Sequence, residues 1–154
     1  MEAYEVWLFL HVAAAILWVG GSTALGIMMG RLQKAQAGPA LGAVGAQMEF
    51  FSKAFFMPAS LLAVVSGFGL VLSRDAWNFE DLWIAVGIAG FLLTLVVGMA
   101  VLGPTAKKIS TLGAERGPAD PEVAALRERM KRFSGVNLVI LWILVLDMVF
   151  KPGA

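Results

Sequence analysis

A chain of 154 residues that is 59% hydrophobic and only 15% charged, with a mean hydropathy of +0.80, carries more apolar surface than one small water-soluble core can bury. Lipid is the solvent that such a surface requires, and the length allows one domain of about four spanning helices, because each needs roughly 20 apolar residues. The absence of cysteine excludes disulfides, thiolate metal sites and thiol catalysis; a net charge of +1 is uninformative as a total, and no nucleic-acid partner is expected.

The first apolar run, residues 4–29, opens beside Glu2 and Glu5 instead of a basic stretch, which predicts a retained spanning helix and not a cleaved signal peptide. Loop one follows with Arg31, Lys34 and Lys53 around Gly38, Pro39, Gly42 and Gly45, and its composition leaves open whether residues 31–52 are ordered. The second run covers 55–72. Loop two holds Arg74 among Asp75, Glu80 and Asp81, and the third run covers 82–102. Loop three is basic, with Lys107, Lys108, Arg116, Arg127, Arg129, Lys131 and Arg132. Within it Asp120 is placed to cap a helix whose first turn is Pro121 and Glu122, and that helix continues into the fourth run, 133–150. The predicted fold is an all-α transmembrane four-helix bundle.

Short loops rich in Lys and Arg stay cytoplasmic. Loops one and three are therefore predicted to be cytoplasmic and both termini extracytoplasmic, in a multi-pass protein of the bacterial cytoplasmic (inner) membrane. Tyr4, Trp7, Trp77 and Trp83 fall near the outer ends of their runs, where amphipathic rings favour the interface. Small residues recur at four-residue steps: Ser22, Gly26 and Gly30; Ala59, Ala63 and Gly67; Gly90, Thr94 and Gly98. Such stripes predict close helix packing. No phosphate loop, nucleophile elbow or metalloprotease signature is present.

Polar residues inside spans are expensive and mark function. His11, the only histidine, lies about two turns into the first run, on a helix face shared at α-helical spacing with Ala15, Trp18 and Ser22. Such a face has the clearance that a flat macrocycle needs beside its ligand, although an inter-helix hydrogen bond is the competing role. Asp147 and Met148 lie at a similar depth near the end of the fourth run. Asp147 has the chemistry to orient an iron-bound imidazole and Met148 to offer a thioether to the iron. The alternative places Asp147 at the interface, pairing with Lys151, and Met148 against lipid.

These residues carry a resemblance. Leu10-His11 followed by Trp18-Val19-Gly20-Gly21 resembles the opening of HemJ-type membrane protoporphyrinogen oxidases and of CopD-like copper-resistance membrane domains. Lys131-Arg132-Phe133 and the closing Lys151-Pro152 are similar to HemJ-type proteins too. The full pattern, with Met148-Val149-Phe150-Lys151-Pro152 at the end, looks most like a related family of bacterial integral-membrane proteins. The resemblance implies a four-helix membrane domain that holds haem b through the histidine of its first helix, here His11. HemJ-type proteins carry an Arg late in helix one followed by a Tyr-His pair, a Lys in helix three and Asn-Glu after the Arg-Phe of helix four. The matching positions here read Ile27, Gly87 and Ser134-Gly135, with no second histidine. Protoporphyrinogen oxidase activity is therefore not expected.

Two function classes stay open: a redox or sensory membrane protein binding haem b, with His11 as axial ligand, and a non-catalytic membrane subunit or assembly partner without cofactor. In the first, a pocket of Ala15, Trp18, Ser22, Asp147 and Met148 would surround the iron site, with the haem five-coordinate, completed by Met148, or shared in a homodimer or larger membrane complex. Copper handling is a weaker third class, since one histidine and scattered methionines make a poor copper site.

Overall fold

The computed structural model describes residues 3–35, 37–74 and 77–153. Glu2 and Asp75, which contribute to the charge pattern of the sequence, lie outside the described residues. The described residues are predominantly helical, and no strand occurs among them. Helix α1 runs Ala3–Lys34, α2 Gly38–Phe51, α3 Ser52–Leu72, α4 Leu82–Arg116 and α5 Pro121–Phe150, with α2 passing into α3 without a break. Helices α1, α3, α4 and α5 are each long and apolar enough to cross a membrane.

Each predicted run lies inside one of these helices. The helices outlast the runs at the end of the bundle away from the chain termini, where α4 continues to Arg116 and α5 begins at Pro121. The caps explain the boundaries. Asp120 Oδ1 accepts from the backbone N–H of Glu122 at 2.8 Å and of Val123 at 3.4 Å, and Pro121 supplies a first-turn residue that has no N–H to satisfy. Gly117, at φ 87°, closes α4 in a conformation that L side chains rarely adopt. Loop one is ordered in large part: residues 38–51 form α2, with Pro39 in its first turn.

The upper half of α1 packs chiefly on α3, and α4 packs chiefly on α5; the lower half of α1 reaches α5. Three helices each contain one wide π-helical turn, at Ile16–Gly20, Ser52–Phe56 and Val97–Leu102. The interior is small and partly polar: Ala14 and Ser66 are 0% exposed and Thr94 is 3% exposed. Bulky apolar side chains point outward instead, with Phe9 71%, Leu72 77%, Met99 68% and Phe150 76% exposed. That inversion suits a bundle whose surroundings are hydrocarbon and whose helices meet through small residues.

The small-residue stripes take part unequally. Gly67 and Ala63 lie under α1, Gly90 accepts the Leu144 side chain, and Gly69 accepts the Trp7 ring so closely that a Cβ there would collide with it. Gly30 and Gly98, by contrast, have open space where a Cβ would be.

Candidate functional site

His11 is half-buried in α1 and its ring lies across α3. The ring reaches the α3 backbone because two small residues stand beneath it: a Cβ on Gly67 would be 3.3 Å from His11 Cε1, and Ala63 one turn earlier offers only a methyl. Nδ1 lies 2.8 Å from the Ala63 carbonyl oxygen. A carbonyl can only accept, so Nδ1 carries the proton and donates it. Ser66, fully buried next to it, turns its hydroxyl to the carbonyls of Leu62 and Ala63. In its neutral form the imidazole is thereby fixed in one tautomer with its lone pair on Nε2, and no hydrogen bond engages Nε2 among the described residues.

Among the described residues, the hydrogen-bond partners of the imidazole are Ala63 and Ser66, and none of the other residues assigned to this site from sequence is among them. Trp18 stacks edge-to-face on Phe91 of α4, with ring centroids 5.8 Å apart. The π turn at Ile16–Gly20 holds an extra residue, so the α-helical spacing that puts Trp18 and Ser22 on the His11 face does not apply across it. Beyond that turn Gly21 lies against Phe55 and Phe56, and Thr23 donates to the Val19 carbonyl at 2.7 Å while accepting from Trp142 Nε1 at 3.2 Å. Ala15 and Ser22 are half-buried.

Asp147 and Met148 belong to the contact between α4 and α5. The Met148 methyl occupies the space above Gly87 that any side chain there would fill, and Asp147 Oδ2 is 4.0 Å from the same point. The acceptor for His11 Nδ1 is thus the Ala63 carbonyl and not Asp147. Asp147 is 9% exposed, and its Oδ2 has no hydrogen-bond partner; Trp83 Nε1, one turn before Gly87, is equally buried without one. Lys151 forms no ion pair with Asp147 among the described residues; its backbone N–H bonds the Asp147 carbonyl at 2.8 Å, and its ammonium lies over Trp77 and Trp83.

The end of the bundle that bears the chain termini is closed by aromatic rings. Tyr4 meets Trp77 at 5.9 Å and Trp77 meets Trp83 at 5.3 Å, both edge-to-face, above a core of Val71, Trp83, Ile84 and Met148. The sequence signal for this collar was the clustering of Trp and Tyr at helix ends. What it did not show was that Arg74 and Lys151 would converge on it.

Among the described residues, no group of three or more His, Asp or Glu side chains could hold a metal ion. A lone imidazole binds a bare ion poorly, whereas haem iron brings four equatorial nitrogens and asks the protein for one or two axial ligands.

A four-helix membrane bundle with a single buttressed imidazole is the class of protein that these features define. The chain belongs to the family described as predicted integral membrane protein (DUF2269), whose match covers residues 5–152. Nothing in that match ties it to HemJ-type oxidases or CopD-like domains. No curated protein and no solved structure matches the chain.

Proposed function

We propose that this integral membrane protein binds haem b through Nε2 of His11 and serves in electron transfer or sensing. One observation carries the reading: the 2.8 Å bond from Nδ1 to the Ala63 carbonyl, which orients the ring and, in the neutral imidazole, places the lone pair on Nε2. Metal-bound histidines commonly hold their second nitrogen in this way, because a backbone carbonyl sets the ring orientation and raises the basicity of the ligand. When bound, haem would supply one-electron or gas-binding chemistry. The chain's own residues fix the imidazole: Gly67 and Ala63 admit it, and the Ala63 carbonyl holds the Nδ1 proton.

The distribution of cations supports a bacterial inner-membrane orientation with both ends of the sequence outside. Arg31 and Lys34 close α1, Lys53 opens α3, and seven basic residues lie between Lys107 and Arg132, all at the end away from the termini.

The test is a visible spectrum. Detergent-solubilised protein made with ample haem supply should show a Soret band that His11→Ala abolishes and Met148→Ala leaves largely in place. A colourless wild-type protein without a pyridine haemochrome signal would remove the haem reading. The second reading, a cofactor-free membrane subunit, is favoured by the same geometry, since the bond to Ala63 already makes His11 a complete tie between α1 and α3. Under that reading His11→Ala changes stability by about 1 kcal/mol, as intramembrane hydrogen bonds do, and no spectrum.

A further inference from the structure

We propose that Arg74 and Lys151 hold the phosphate of a group with net negative charge, an anionic lipid headgroup or free phosphate, at the terminal end of the bundle. Both cations converge on one indole: the Arg74 guanidinium carbon is 5.6 Å from the centre of the Trp77 ring and the Lys151 ammonium 4.2 Å. Arg74 also covers Tyr4 at 4.2 Å, and Lys151 covers Trp83 at 5.1 Å. Ring faces attract cations, but they do not neutralise them. The ion pairs of the described residues are Arg116 with Glu122 and Lys131 with Glu128, so neither Arg74 nor Lys151 has a carboxylate partner there. Asp81 Oδ2, on the α3–α4 loop, accepts from the Asn78 N–H.

Two like charges held at one ring repel each other, and an anion that reaches both offsets that repulsion. The backbone is set to deliver one of them. Lys151 is the only non-glycine among the described residues with positive φ, at 45°, and that left-handed turn ends α5 and folds the side chain back over Trp77 and Trp83. The turn is a helix C-cap, with the Lys151 N–H bonded to the Asp147 carbonyl, and it sets the direction in which the side chain leaves α5. The ligand class follows from position. The collar of Tyr4, Trp77 and Trp83 marks a membrane–water interface, the level at which lipid phosphates lie, and Arg74 offers the planar donor fork that matches phosphate oxygens. The site is independent of any haem at His11.

Native mass spectrometry of the full-length protein in detergent tests this, with phosphatidylglycerol and phosphatidylcholine as competing lipids and inorganic phosphate as a separate arm. The expected result is retention of phosphatidylglycerol in preference to phosphatidylcholine. Arg74→Gln and Lys151→Gln should each weaken retention roughly fivefold, and the pair about 25-fold. The charge-conserving Arg74→Lys and Lys151→Arg variants should keep most of it, which separates lost charge from lost folding. Thermal stabilisation by inorganic phosphate that is lost in the double Gln variant, without lipid selectivity, would assign the group to a soluble phosphate. Equal retention of the two lipids with no response to phosphate, or undiminished binding by a folded double Gln variant, overturns the proposal.

Discussion

Gly87 is the residue on which the α4–α5 contact turns. It is buried, and the Met148 methyl fills the space a Cβ would need. Gly87→Ala should therefore destabilise the protein by about 1–3 kcal/mol through overpacking. Met148→Ala alone should cost about 2–3 kcal/mol by leaving a void. Combining the two should cost clearly less than the sum, because the smaller side chain makes room for the new methyl; thermal or chemical unfolding in detergent would give the coupling energy. Strict additivity would show that Met148 is not what limits position 87. The resemblance to HemJ-type proteins had marked Gly87 as a position lacking a lysine. In the fold its lack of a side chain has a positive use.

At the scale of the helix, hydropathy was a sufficient guide to the spans, because about 20 apolar residues in sequence have few other uses. Asp120 was legible too, standing directly before Pro121 and Glu122, and its carboxylate makes the two expected bonds. Asp120→Ala should cost about 1 kcal/mol. Hydrogen exchange should show the loss as faster exchange at Glu122 and Val123, while amides beyond Phe133 stay protected; unchanged exchange at those two positions would mean that the cap contributes nothing. Helix α2 was not legible, since Gly38, Gly42 and Gly45 are poor helix formers and the periodic signal is weak. Nor were the π turns. They leave no compositional trace, and the one in α1 breaks the α-helical spacing on which Trp18 and Ser22 were assigned to the face of His11. The partner of His11 escaped for another reason: it is a backbone carbonyl, which no side-chain pattern marks, although the small pair Ala63 and Gly67 was visible as a stripe.

For the whole molecule the question is orientation. Helix α4 has 35 residues and α1 has 32, or about 50 Å of rod against roughly 30 Å of hydrocarbon, so the bundle stands well clear of the membrane on one side. In the proposed orientation the aromatic collar lies at the outer interface and the overhang, with its basic residues, on the cytoplasmic side. A reporter fused at either end of the sequence should thus be active outside the cytoplasm and one inserted after Gly117 active inside. The reverse pattern would overturn the proposed orientation while leaving the bundle intact.

The π turns have a meaning in evolutionary bookkeeping. A π turn is an α turn with one residue added, and it absorbs the addition locally, so the helix on either side keeps its facing. In α1 the flanks are committed to different neighbours, His11 to α3 above the turn and Thr23 to Trp142 of α5 below it. A homologue one residue shorter between Ile16 and Gly20 would close that turn to ordinary α-helix and keep both partners. A gap of one residue a few positions to either side would swing one of them away. Single-residue length changes among relatives should therefore collect at 16–20, 52–56 and 97–102, and be rare in the turns that carry His11 and Gly67.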